Sequence, residues 1–261
     1  MSVQVSPGSF WIGYLTIVIK EVKRILRIWP QTLIPPVITM SLYFVIFGSI
    51  IGRRVGEMSG IDYMEFIVPG LIMLSVITNA YGNITSSFFG AKFGRHVEEL
   101  LVSPLPPWII LAGYVSGALF RALAVGVLVW VVAGLFSGFH MHSVPITLSI
   151  LVLTAVVFAL AGLINAVYAQ KFDDITIVPT FVLQPMTYLG GVFFSVTLLP
   201  GLWQQAALAN PILYMVNALR YGMLGISDVS LWLAYAMVLG FGAALAAWAL
   251  TLLSRGTGLR S

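Results

Sequence analysis

Residues 109–139 contain one charged side chain, Arg121, and residues 30–52 contain none. Runs of this kind exceed the roughly 20 apolar residues with which a helix crosses about 30 Å of hydrocarbon. They also lack the alternation, about ten residues at a time, of an outer-membrane strand. Hydrocarbon offers no partner to a free backbone N–H or C=O, so the runs are expected to be helical. Composition agrees, with 59% hydrophobic and 8% charged residues against roughly 25% charged in soluble domains. The chain therefore reads as an all-α integral membrane protein forming one transmembrane domain over residues 1–261. The absence of cysteine excludes disulfide and thiolate chemistry. A net charge of +4 points to topology rather than to nucleic-acid binding.

Six transmembrane helices are expected, at 31–52, 63–90, 109–138, 144–170, 175–195 and 229–253. The first is read as opened by Pro35-Pro36, where missing amide donors cost least. From Ile175 to Leu219 there are 45 residues without charge, broken by Pro179, Pro185, Gly190-Gly191, Pro200 and Pro211. One span followed by a re-entrant segment over 198–219 fits that length, provided the irregular backbone is buried in protein.

The apolar run Phe10–Ile19 is too short to span, and its cations follow it, which is the wrong order for a signal peptide. Lys20, Lys23, Arg24 and Arg27 share one helical face. Leu15, Val18, Ile19, Val22, Ile25, Leu26 and Trp29 share the other. Residues 10–29 therefore predict an amphipathic helix in the interface with its cations toward anionic lipid headgroups. It is either a mechanical element or a plain basic anchor. Counting Lys and Arg near the span ends places nine on one face and three on the other. The face with nine, which carries both termini and residues 91–107, is assigned to the cytoplasm.

Two polar features stand out against this background. The first is Lys92–Trp108, KFGRHVEELLVSPLPPW. Begun near Ala91, a helix there puts Phe93, Val97, Leu100 and Leu101 on one side and Arg95 and Glu99 at i, i+4 on another. Ser103-Pro104 ends it and Pro106-Pro107 stiffens the link to the third span. An ordinary solvated loop is the plain alternative. The second feature is the far half of span two, where Asn79, Asn83, Thr85, Ser86 and Ser87 must face other helices or a wet path. Asn79, Asn83 and Ser86, with Thr176, Thr180 and Gln184 at the start of span five, are candidates for a substrate path. Arg121 is expected near the cytoplasmic third of its span, snorkelling or paired; nearer the centre it would be functional. His140 and His142 read as interfacial rather than metal-binding, and Asn83-Ile84-Thr85 as a chance match to a glycosylation pattern.

The chain has no GxxxxGK[ST] loop, no nucleophile-base set at plausible depth and no HExxH. It is not expected to be an enzyme, and any energy source would sit on another chain.

The order of an amphipathic N-terminal helix, six spans, a charged helix between spans two and three, and a re-entrant segment before span six resembles the permease subunits of type-2 ABC exporters. Gly190-Gly191, Pro200, Pro211 with Tyr214, and Arg220 match the signature that this family carries before its last span. Glu98-Glu99-Leu100-Leu101 with Ser103-Pro104 resembles its coupling helix, and Phe172-Asp173-Asp174 its second cytoplasmic loop. The likeness covers essentially the whole chain and is to YadH-like bacterial inner-membrane permeases in particular. It implies a homodimer in the inner membrane bound to two copies of a separate ABC ATPase, which would hold the ATP and magnesium. No cofactor, metal or nucleic acid is expected on this chain; membrane lipid is its other partner. By the same likeness, Arg95, Glu98, Glu99, Leu100, Leu101, Asp173 and Asp174 would carry the ATPase coupling. An ion-gradient-driven carrier, with Arg121 its one candidate midplane group, and an intramembrane enzyme or scaffold are the competing readings.

Overall fold

The computed structural model describes residues 7–256 and 258. Helix α1, Pro7–Arg27, ends two residues before the expected limit, and Trp29 opens the next helix instead. Its buried stripe is Ile17, Glu21 and Ile25, whereas Ile19, Leu26 and Trp29 are exposed. Of the apolar face expected from periodicity, Ile25 packs inside the bundle, while Ile19, Leu26 and Trp29 stand on its outer surface. The buried stripe meets another helix, where Gly113 and Gly117 leave room for Ile17 and Glu21; a Cβ on these glycines would come within 2.7 and 2.5 Å of the two side chains.

Helix α2, Trp29–Tyr43, has Pro30 in its first turn and Pro35 and Pro36 in its interior. Pro35-Pro36 therefore do not open the span. The helix continues as a π-helical stretch, Phe44–Ile51, and α3, Gly52–Val55. A tight hairpin follows, Glu57–Met58 (β1) against Ile61–Asp62 (β2). Its corner residues Ser59 and Gly60 both have positive φ, 54° and 79°, as a two-residue hairpin turn of this hand requires.

Asp62 caps α4, Tyr63–Phe93, by accepting from the Met64 amide at 2.8 Å. Then come α5, His96–Val102, α6, Pro107–Ser137, and α7, Val144–Tyr168. Helix α8, Asp174–Val178, runs through a π-helical Pro179–Leu183 into α9, Gln184–Leu189. After a short 3₁₀ turn, Val196–Leu198, the chain forms α10, Gly201–Leu208, α11, Pro211–Leu224, and α12, Leu231–Arg255. Arg260, counted above in the tail, lies outside the described residues.

Five of these stretches are long and apolar enough to cross a membrane: Trp29–Val55, Tyr63–Phe93, Pro107–Ser137, Val144–Tyr168 and Leu231–Arg255. The segment expected as a span at 175–195 is helical only from Asp174 to Leu189. At 1.5 Å per residue this is about 24 Å, short of the roughly 30 Å of hydrocarbon, because Gly190 and Gly191, the latter at φ +74°, turn the chain.

Helix α4 is the centre of the bundle. Its most apolar window is 78% buried, against 17% for the Trp29–Val55 stretch, and it packs along α6, α7 and α11. Close approach is set by glycine. A Cβ on Gly70 would sit 2.4 Å from the Val192 carbonyl oxygen, and one on Gly162 of α7 would sit 2.6 Å from that of Tyr81. Neither obstacle is a side chain that can rotate away. Gly70→Ala is expected to cost about 1–3 kcal/mol through overpacking, read as a lower melting temperature in detergent. Gly82→Ala on the same helix, with nothing within 4 Å of the added carbon, should be neutral or stabilising by up to about 1 kcal/mol.

Candidate functional site

The polar residues gather in three places along α4. At its C-terminal end the helix stops at Phe93. Gly94 and Arg95 then turn the chain, Arg95 in the left-handed conformation at φ +60°, and α5 begins at His96. One helix from Ala91 onward is therefore corrected to two helices with a break. Phe93 is exposed while Val97 is buried. Among the described residues no ion pair joins Arg95 to Glu99, because Arg95 lies outside the α5 helix. Glu98 and Glu99 stand in the first turn of α5, where a carboxylate suits the positive end of the helix dipole. Leu100 packs against the core, and the Leu101 side chain lies outside the described residues.

The loop after α7 is bound to the end of α4. Lys92 Nζ donates to the carbonyls of Val167 and Ala169 at 2.6 and 2.7 Å, satisfying acceptors that a helix C-terminus leaves over. Phe172 packs on Phe89 and Phe93 with ring centroids 5.0 Å away in each case. Asp174 Oδ2 accepts from the amides of Gln170 and Lys171 at 2.8 and 2.9 Å. These amides, with the nearby Lys171 and Lys92 charges, hold its carboxyl below the usual carboxylate range. Asp173 is exposed, and its carbonyl accepts from Thr176 Oγ1 at 2.7 Å. The result is a platform in which α5, α4 and the 170–174 loop share one foundation.

The second place is the polar half of α4. Arg24 points inward, not toward lipid headgroups. Its Nη2 donates to Glu21 Oε2 and to Asn83 Oδ1, each at 2.9 Å. Glu21 is fully buried, and its other oxygen accepts from Ser87 Oγ at 2.7 Å. A buried carboxylate requires such partners, which is why the arginine leaves the cationic face. Sequence reading passed over Glu21, although it sits four residues from both Ile17 and Ile25 on the buried stripe. Asn79 donates from Nδ2 to the Ser75 carbonyl at 3.0 Å and accepts from Arg121 Nε at 3.2 Å. Arg121 lies near the middle of α6.

Beside that pair is a cavity of about 350 Å³ between α2, α4, α6 and α9, which Asn79 and Gln184 both line. The other candidates for a path are elsewhere. Asn83 is committed to Arg24. Ser86 Oγ turns back to the Gly82 carbonyl at 2.8 Å. Thr176 and Thr180 are exposed on the stretch preceding α9 and do not line the cavity.

The third place is the cap made by α10 and α11. Asn210 caps α11, with Pro211 in its first turn, and its Nδ2 donates to the Met186 carbonyl at 2.6 Å. Pro200 precedes α10, and Tyr214 OH donates to the Leu208 carbonyl at 2.7 Å. Arg220 is 1% exposed. Its Nη2 donates to the Gly191 carbonyl at 2.7 Å, and the guanidinium lies 3.9 Å from the Phe66 ring centroid, a cation–π contact with α4. Gly190 has no room for a Cβ, which would be 2.7 Å from Ile212 Cγ2. Asn217, not singled out from sequence, and Asp228 finish the joint: the Asp228 amide donates to Asn217 Oδ1 at 2.9 Å and Asp228 Oδ2 accepts from the Val196 amide at 3.1 Å. On the same side, His140 Nε2 lies 3.9 Å from Glu65 Oε1, and His142 meets the edge of Tyr221.

Glu21→Ala leaves the Arg24 cation without its carboxylate and should cost about 1–3 kcal/mol, measured as a fall in melting temperature. Glu21→Ala/Arg24→Ala should recover part of it, since the charge leaves with its partner. A double variant as unstable as the summed singles would show that the two residues do not act as a pair.

Residues 13–224 match the family model described as "ABC-2 type transporter". The chain is 56% identical over 252 residues, 97% of its length and 98% of the relative's, to "Inner membrane transport permease YadH" of Escherichia coli K12. It is 29% identical over 185 residues, 70% of its length and 71% of the relative's, to "Nodulation protein J" of Rhizobium leguminosarum biovar viciae. With a buried helical bundle, five stretches of membrane-crossing length and a family match over most of its length, the chain is a multi-pass membrane protein that belongs to the ABC-2 type transporter family, whose members serve as ABC transporter membrane subunits.

Proposed function

We propose that this chain is the permease subunit of an ATP-driven exporter: it dimerises around a substrate path and is worked by a separate ABC ATPase, two copies per complex, that holds ATP and magnesium. In this reading the chain has six spans, the shortest of them lying within 175–195, lies in a bacterial inner membrane and keeps both termini in the cytoplasm. The ATPase docks on α5 through Arg95, Glu98, Glu99 and the Leu100–Leu101 pair, and on the neighbouring Asp173–Asp174 loop.

The observation that carries this reading is the platform. Lys92 and the Phe89–Phe93–Phe172 cluster join the root of α5 to the end of α7. A push on α5 is delivered to two long helices at once rather than absorbed by a loop. The break at Gly94–Arg95 makes α5 a lever on α4 rather than its extension. Helix α1 follows, because Glu21 and Arg24 tie it to the same half of α4.

Glu98→Ala/Glu99→Ala is expected to weaken co-purification of the ATPase by about tenfold or more, the scale of losing an interface hot spot. Transport-linked ATP hydrolysis should fall in parallel. Unchanged co-purification and hydrolysis would contradict the assignment of α5 as the coupling element. Transport by the lone chain in liposomes under a proton gradient would favour an ion-driven carrier instead.

A further inference from the structure

We infer that the cavity at Arg121 takes the anionic headgroup of an amphiphile, a phosphate ester or a carboxylate, as its ligand. This names a substrate class for the path proposed above and rests on that reading.

Arg121 carries the only charge among the residues that line the cavity. Its Nε is held by Asn79, and among the described residues neither an ion pair nor a further hydrogen bond engages the guanidinium. An arginine near the middle of a membrane helix is functional by default, and it normally finds an anion. Here the described residues supply none. Glu21 of α1 is occupied by Arg24 and Ser87.

The Asn79 contact fixes the guanidinium through Nε and leaves the two Nη groups, the edge suited to bidentate binding of a carboxylate or phosphate. A cationic ligand would meet repulsion from Arg121. A neutral one would leave Arg121 without a counter-charge. The remaining wall pairs the neutral donors and acceptors of Thr39, Thr78 and Gln184 with apolar surface from Pro35 and Met40, which suits a headgroup with an attached hydrocarbon. The volume, about 350 Å³, is within the range of small-molecule sites.

The test uses the full chain in dodecyl maltoside, without an ATPase, and measures binding by calorimetry. Three probes are compared: dihexanoyl phosphatidic acid, dihexanoylglycerol with the same tails and no charge, and inorganic phosphate. Phosphatidic acid is expected to bind at least tenfold more tightly than either of the others. Arg121→Gln should abolish its advantage over dihexanoylglycerol, and Arg121→Lys should keep part of it.

Thr39→Trp, which fills the cavity from α2 and leaves Arg121 intact, should weaken both lipids and covers the case in which Arg121→Gln does not fold. Equal affinity for the two lipids would overturn the proposal. So would an unchanged preference in folded Arg121→Gln, or an unchanged affinity in Thr39→Trp. Inorganic phosphate binding as tightly as phosphatidic acid would make the ligand a free anion and overturn the amphiphile. Because no ATPase is present, failure here leaves the coupling reading standing, and failure of the coupling experiment leaves this binding result intact.

Discussion

A polar group inside a bilayer has no water to fall back on, and α4 carries more such groups than any other long helix here. Several are met by side chains or carbonyls of neighbouring helices. Ser87 and Asn83 reach Glu21 and Arg24 of α1, Asn79 holds Arg121 of α6, Thr85 Oγ1 donates to the Gly162 carbonyl of α7 at 3.1 Å, and Lys92 closes the end of α7. Partners of this kind exchange only with one another in hydrocarbon, so they fix the azimuth of three helices around α4. Apolar packing alone would leave that angle loosely specified.

Glycine sets the distances that the polar contacts then hold. Gly113 and Gly117 admit α1, Gly162 admits α4 against α7, and Gly70 admits the turn at Val192. The buried α11 is fastened to that turn by Arg220, whose guanidinium bridges the Gly191 carbonyl and the Phe66 ring. One rigid helix therefore touches the α10–α11 cap at Phe66, the cavity at Asn79, the α1 anchor at Asn83 and the platform at Lys92. In the proposed mechanism this continuity lets an event at α5 reach the cavity.

What the sequence made legible was what periodicity and charge determine locally. The long apolar runs, the charged interruption after residue 91 and the broken stretch after Ile175 all show in the residues themselves. The misreadings share a cause, which is that they depended on a second element. The four cations of α1 form one helical face on paper, yet Glu21, on the other side of Arg24, draws that residue inward. Pro35-Pro36 looked like a helix opening because nothing local showed that α2 had already begun at Trp29. A helix across residues 91–107 fits the pattern of apolar positions, but Gly94 and a left-handed Arg95 divide it. The polar residues of α4 were visible, whereas their division between an anchor at Asn83 and a cavity at Asn79 depends on where α1 and α6 place their arginines. The signature around Arg220 was recognised by resemblance; the reason for an arginine there, a carbonyl and an aromatic ring on separate elements, is tertiary.

The central claim is that α5 is the surface on which an ATPase acts. The chain has no cysteine, so a single Val102→Cys, at a side chain that is 86% exposed, provides a unique label on that helix. The measurement is its reactivity with a membrane-impermeant maleimide, in intact cells and in inverted vesicles with and without the bound ATPase. The account predicts labelling only in inverted vesicles and protection when the ATPase is present. Labelling in intact cells, or the same reactivity with and without the ATPase, would contradict it.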